Sequence, residues 1–276
     1  MYRGFVGGDM DIAAKREMVN RVEFWYHSID LGDGVVTPGR IPLAALKAEF
    51  SAMRVPDLAG KTVLDVGAWD GFYSFAAENM GARRILAMDH YVWSLRLSRQ
   101  RAYWQDCRDR QRVPSAYQLV PGCWEPGTLP GKAGFDTAHQ ILQSKVEQLV
   151  ADYMTVEPVE VGSFDVVFFR GVLYHMKEPL EALRRLALLT RDLAIIETLA
   201  IYVPNLENES LFEFYESNEV NADVSNWWAP NLTALAKCCR AAGFRHVEPV
   251  SGYPSMTDPS GIEKLHRYRL TVHARH

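Results

Sequence analysis

The chain has 276 residues, 48% hydrophobic and 23% charged, with a formal net charge of −4. That length suits one large α/β domain with an appended segment, and the acidic balance argues against a nucleic-acid binder that works through bulk charge, though a local basic patch would suffice. No apolar run approaches the roughly 18 residues of a membrane span, and residues 1–18 lack the apolar core of a signal peptide.

Residues 1–55 read as a front segment of helix and loop. The spacing of Ile12, Val19, Val22 and Trp25 predicts a helix over residues 11–25. A loop dense in Gly and Asp follows at 26–34, then a second helix at 42–53. From Lys61 onward, through residues 56–276, strands and helices alternate. Strands are predicted at 62–66, 84–89, 146–151, 164–169 and 192–199, and two last ones at 244–250 and 268–274. Helices are predicted at 73–80, 135–143, 179–189 and 232–242, the last stopped by Gly243. This alternation predicts a parallel sheet with helices on both faces, its last two strands partly antiparallel. The stretches 90–132 and 200–230 exceed ordinary loop length and read as lids or substrate-binding insertions. Cys107, Cys123, Cys238 and Cys239 form no C-x-x-C pair, which favours reduced thiols in a cytoplasmic protein.

The strongest motif is the turn at 65–71, where an apolar strand runs through Asp65, Gly67 and Gly71 into a helix in the pattern D-x-G-x-x-x-G. Glycines there let a ligand approach the backbone at the carboxyl end of the sheet. The dinucleotide pattern G-x-G-x-x-G is absent, and the acidic residue suits a ligand with an ammonium group, such as the methionine part of S-adenosylmethionine (SAM), better than a pyrophosphate. Asp89, 24 residues after Asp65, ends the second strand, where a carboxylate accepts from ribose hydroxyls; a cap or turn role is the competing reading. Asp152, past the third strand, suits the adenine amino group with Tyr153 against the ring, or else is a surface turn.

These residues resemble the class I SAM-dependent methyltransferases over roughly residues 61–276. Three segments, at 62–67, 171–175 and 196–199, resemble the branch containing the bacterial enzymes that carboxymethylate the wobble uridine of tRNA. The excursion at 218–230 and the strand entry at Gly243 and Phe244 fit that branch too. The resemblance implies a Rossmann-like sheet of order 3-2-1-4-5-7-6, with SAM across the ends of strands one to three. It also implies a lysine and a late arginine for the extra carboxylate of carboxy-SAM. Neither is matched to a position of this chain, and the front segment differs, which favours ordinary SAM.

Methyl transfer to a hydroxyl needs a positioned base. His175, after the fourth strand, is the first candidate, against a structural histidine bonded to backbone. Tyr174 resembles the branch tyrosine near the transferred group, and core packing is its alternative. Arg170 ends a buried strand and needs a carboxylate, either that of SAM or a side chain such as Glu197. Glu197 itself suits an acceptor hydroxyl or amine as well as a structural pair. His27 is a second candidate base, in a loop that is either a lid or solvated. Trp227 and Trp228, with Phe214 and Tyr215, suggest an apolar wall for a ring-shaped acceptor. No cluster, including His27, Asp30 and Asp33, has convincing metal-ligand spacing, so no metal is expected. The favoured expectation is O-methylation of a small molecule, a sugar or specialised metabolite. The alternatives are tRNA wobble-uridine methyl or carboxymethyl transfer, with the basic stretch 96–112 as its footprint, and a SAM-binding module without turnover. The oligomeric state stays open.

Overall fold

The computed structural model describes residues 10–221, 223–252 and 265–276. Helix α1 spans Ile12–Arg21, capped by Asp11, whose carboxylate accepts the Ala14 N–H at 3.3 Å. It ends earlier than the apolar spacing predicts: Val22 is extended, and Trp25 turns back to donate its indole N–H to the Val19 carbonyl at 3.2 Å. Then follow α2 (Leu43–Ala52), β1 (Thr62–Val66), α3 (Phe72–Asn79) and β2 (Arg84–Asp89). The insertion after β2 holds a helix that periodicity did not reveal, α4 (Leu97–Asp109), because only its Leu97 and Cys107 are buried and no apolar stripe marks it. The chain continues through α5 (Ala133–Leu142), β3 (Glu147–Val150), the single turn α6 (Pro158–Val161), β4 (Phe164–Arg170), α7 (Pro179–Leu189) and β5 (Thr190–Tyr202). A small hairpin of β6 (Phe212–Phe214) and β7 (Trp228–Pro230) fills the second insertion, and α8 (Leu232–Ala242), β8 (His246–Ser251) and β9 (His266–Arg275) complete the chain.

The strand order β3-β2-β1-β4-β5-β9-β8 is the order that the class I resemblance implies. The β1–β2, β2–β3 and β4–β5 pairs are parallel, whereas β9 pairs antiparallel with both β5 and β8. Strand β5 runs on to Tyr202, three residues beyond the predicted end, because β9 pairs along its whole extension. The chain divides into two compact units, one built from the residues up to Ser51 and Val55–Thr155, the other from Ala52–Arg54 and the residues from Val156 onward. Buried Trp93, Phe72, Phe75 and Phe135 centre the first; Phe164, Phe168, Phe169, Leu186 and Ile195 centre the second. All four cysteines are free thiols. Among the described residues no helix is long and apolar enough to cross a membrane.

In the first unit Lys15 is fully buried, and its ammonium donates to the Leu31 carbonyl at 3.3 Å and to Asp33 at 2.6 Å. Removing one partner of a buried pair strands the other charge, whereas replacing the buried member by an apolar chain does not. Asp33 is half exposed, so water softens the loss. Asp33→Ala is expected to cost about 2 kcal/mol and Lys15→Met less than about 1 kcal/mol, an order that urea unfolding of the two variants checks.

Candidate functional site

Strand β1 is buried along its length and ends at Gly67, which is exposed and left-handed with φ 76°. The amides of Gly67 and Ala68 donate to the Met88 carbonyl at 2.8 and 3.2 Å, which ties the turn to the end of β2. Gly71, with φ 88°, opens α3; a Cβ there would lie 2.7–2.8 Å from the rings of Phe75 and Phe135, so only glycine fits. Asp65 is buried and accepts the Ser74 hydroxyl at 2.6 Å. Asp89 is buried too, and its carboxylate accepts the amides of Trp69 at 3.1 Å and Val92 at 3.0 Å. Burial pushes its pKa up to about 6, against the downward pull of those N–H groups. Trp69 is left-handed at φ 49°, and its indole N–H is buried with no partner among the described residues.

The front loop docks on this turn. Asp70, 1% exposed, accepts the amides of Tyr26 at 2.7 Å and His27 at 2.8 Å through one oxygen. Burial pushes its pKa up to about 7, opposed by the two amides and reinforced by the charge of Asp89. Tyr26 stacks on Trp69 with centroids 3.8 Å apart, and buried His27 sits among the rings of Tyr26, Phe72 and Tyr73 at 5.0–6.2 Å. Ile29 and Leu31 are fully buried. Thr37 Oγ1 accepts the Ile29 amide and donates to the His27 carbonyl, fixing the loop from inside. Asp30 accepts the Gly32 amide and Asp33 belongs to Lys15. Asp152 is exposed and closes a turn on the Met154 amide at 2.9 Å, whereas Tyr153 is buried.

The second unit gathers the remaining candidates. Arg170 ends β4 in register with Glu197 of β5, their side chains 4.0 Å apart. Glu197 also accepts one edge of the Arg269 guanidinium from β9, Nε at one carboxylate oxygen and Nη2 at the other at 2.6 Å. Burial alone would raise the Glu197 pKa, but Arg269 and Arg170 hold it below the ordinary value. The Arg269 guanidinium lies 4.7 Å over the ring of Tyr174. Tyr174 packs on buried Leu199, Ile201, Tyr215, Val220 and Ala229. His175 Nδ1 is 3.0 Å from the Ser225 carbonyl and 2.9 Å from its hydroxyl, which in turn donates to Asp223 at 2.7 Å. The four aromatics expected as one wall part company: Phe214 and Trp228 meet across the hairpin at 4.9 Å, Tyr215 enters the core, and Trp227 lies under the Lys177 ammonium with its amide on the Tyr174 carbonyl. Sequence reasoning gave no role to Tyr26, Trp69, Asp70, Asp223, Ser225 and Arg269; Trp69 and Asp70 fill unspecified positions of the turn at 65–71, and the others stand in no motif.

A family model described as a methyltransferase domain matches residues 42–248. The chain belongs to that methyltransferase family. Similar curated proteins are named tRNA U34 carboxymethyltransferase. That of Marinobacter nauticus is 26% identical over 209 residues, covering 75% of this chain and 51% of that protein. That of Helicobacter pylori is 33% identical over 199 residues, covering 70% and 60%. This methyltransferase thus spans about half the length of the curated relatives it matches. The N-terminal domain of EvdMO1, solved with S-adenosylhomocysteine bound, shares the fold with a TM-score of 0.59 at 16% identity, covering 97% of this chain and 99% of that one. That neighbour thus holds the demethylated form of SAM, the donor expected from the turn at 65–71. The residues present fit that group: Gly67 offers exposed backbone without a Cβ, Asp89 a carboxylate at the end of β2, and Trp69 an unpartnered buried N–H.

Folded Asp70 keeps a proton up to about pH 7, while in the unfolded chain the group ionises near 3.8. The folded state therefore binds more protons across that window, and this group makes stability fall as pH rises from about 4 to 7. Asp89 acts in the same direction up to about pH 6. Asp70→Asn keeps an acceptor for both amides and removes the first contribution. The stability of the native protein relative to this variant is expected to decline between pH 4 and 7 and to level off above, as read by urea unfolding across that range.

Proposed function

We propose that this methyltransferase works in the cytosol and methylates a hydroxyl of a small molecule, a sugar or specialised metabolite. His175 carries the proposal. Its Nδ1 is engaged by Ser225, and its partly buried ring packs 4.2 Å from Tyr174, so Nε2 is the nitrogen left for an acceptor proton. Burial lowers its pKa, partly countered by Asp223, which favours the neutral, basic form at physiological pH. The free thiols support a reducing compartment.

When bound, SAM supplies a methyl group on a sulfonium, open to in-line displacement. Gly67, Gly71, Asp65 and Asp89 are the residues assigned to hold it, with Trp69, Asp152 and Tyr153 beside them. Arg170 keeps Glu197 ionised; Glu197, Trp227 and Trp228 are assigned to the acceptor. Tyr174 orients that acceptor, and His175 takes its proton. His27, buried in the front loop, is the second candidate base. The front loop at Tyr26 and His27, seated on Asp70, excludes water from the glycine turn. A sugar acceptor is in keeping with EvdMO1, whose N-terminal domain was crystallised in the presence of S-adenosylhomocysteine and D-fucose.

A second reading, carboxymethyl transfer to the tRNA wobble uridine, draws on the names of the curated relatives and on Arg269, a late arginine laid against Tyr174. Against it, Glu197 already supplies the carboxylate of Arg269, and within the basic stretch Arg96 is paired with Glu125 while Arg110 and Arg112 share Asp106.

His175→Ala is expected to lower turnover about a hundredfold or more with SAM affinity unchanged; His27→Ala tests the other base in the same assay. Full activity in both variants would end the acid–base assignment. Native mass spectrometry of the purified protein, with SAM and carboxy-SAM added in competition, is expected to show retained SAM or S-adenosylhomocysteine. Preference for carboxy-SAM would promote the second reading, and SAM binding without product across a panel of sugar and metabolite acceptors would leave a binding module.

A further inference from the structure

The turn at 223–225 is built around one nitrogen of His175. A carbonyl oxygen only accepts, so the 3.0 Å contact between Nδ1 and the Ser225 carbonyl requires the proton on Nδ1. The Ser225 hydroxyl points the same way. Its hydrogen goes to the Asp223 carboxylate at 2.7 Å, which leaves an oxygen lone pair toward Nδ1 at 2.9 Å. The opposite tautomer would set the Nδ1 lone pair against a carbonyl. Among the described residues, the hydrogen bonds of the His175 ring fall on Nδ1.

The turn is itself held. Asp223 accepts the Ser225 amide at 2.9 Å; Asn226 donates to the carbonyls of Val220 and Asp223 at 3.0 and 3.1 Å; and the Trp227 amide donates to the Tyr174 carbonyl at 2.8 Å. The turn is thereby tied to the segment Leu173–His175 that carries the imidazole.

We propose that Ser225 and Asp223 are positioning residues that lock His175 in its Nδ1–H tautomer and so make Nε2 the proton-accepting nitrogen. The functional side of this rests on His175 as the base; the tautomer lock stands by itself. As a proton arrives at Nε2, the positive charge that forms on the ring is stabilised by Asp223 through the Ser225 hydroxyl. The charged groups that face the ring are Asp223, which favours the imidazolium, and Arg269, which opposes it, with the Tyr174 phenol alongside.

The lock is read without any acceptor by long-range ¹H–¹⁵N correlation of the histidine rings in the uniformly labelled full chain at neutral pH, with His175→Gln assigning the signal. Native protein is expected to show a protonated δ1 and a bare ε2 nitrogen. Ser225→Ala keeps the carbonyl but loses the hydroxyl relay, so a minor Nε2–H form is expected beside the Nδ1–H form, and Ser225→Thr, which keeps the hydroxyl, is expected to restore the single form. Asp223→Asn removes the anion that favours the imidazolium, so the titration midpoint of His175 should move to lower pH. An Nε2–H form in the native protein, or a tautomer and midpoint unmoved in both Ser225→Ala and Asp223→Asn, would overturn the proposal. With an acceptor from the panel above, Ser225→Ala should lose turnover on the order of tenfold, and the acidic limb of kcat/KM should shift down in Asp223→Asn. Full turnover in His175→Gln would instead remove the base and leave the tautomer result untouched, so the two failures are separable.

Discussion

One oxygen of Asp70 accepts two successive amides, those of Tyr26 and His27, in a place that water hardly reaches. The carboxylate belongs to the glycine turn and the amides to the front loop, so the seating of that loop on the turn hangs on this contact. It positions Tyr26 to stack on Trp69 and His27 to enter a cage of rings. Trp69 is in turn held through its amide by Asp89 at the end of β2. Gly134 of α5 must lack a side chain for the same reason, because a Cβ there would lie 2.4 Å from the other Asp70 oxygen. Desolvating a carboxylate this far is costly unless it is well bonded or holds a proton. Both happen here, which makes this buried acid the first unit's most pH-sensitive point.

The second unit manages charge differently. Glu197 lies between Arg170 and Arg269, and the two cations more than offset the burial that would otherwise neutralise it. A guanidinium satisfied in this way can lie on Tyr174 without seeking another anion. His175, a neighbour of Tyr174 in sequence, is held by its bonds to Ser225, and Arg269 of that cluster disfavours its charged form. A strongly charged cluster and a neutral imidazole thus coexist within a few residues, and each group's environment suits a different task.

The methyltransferase fold fixes neither the acceptor nor the group transferred. Curated relatives of this chain are named for carboxymethyl transfer to tRNA, whereas a structural neighbour of the same fold was crystallised in the presence of D-fucose. In this chain the insertions hold α4 and the β6–β7 hairpin, and the Glu197–Arg269 pair joins β5 to β9.

Local physics determined much of the architecture. The apolar runs of β1 and β2 and the amphipathic α7 and α8, the latter capped by Asn231 and stopped by Gly243, have the bounds that periodicity and capping predict. The turn at 65–71 was legible because glycine alone tolerates its backbone at Gly67 and Gly71. The candidates Tyr174 and His175 were legible from their place after β4. Helix α4 escaped notice because its surface is charged almost all round. The partners of the candidate residues were not legible at all. Arg269 meets Glu197 across 72 positions, Ser225 meets His175 across 50, and Asp70 meets His27 across 43. Sequence determines patterns that repeat within a few residues, because helices and strands are set by neighbours along the chain. Which distant carboxylate neutralises an arginine, and which nitrogen of a histidine keeps its proton, is decided only when tertiary packing removes water and each buried polar group must find its partner.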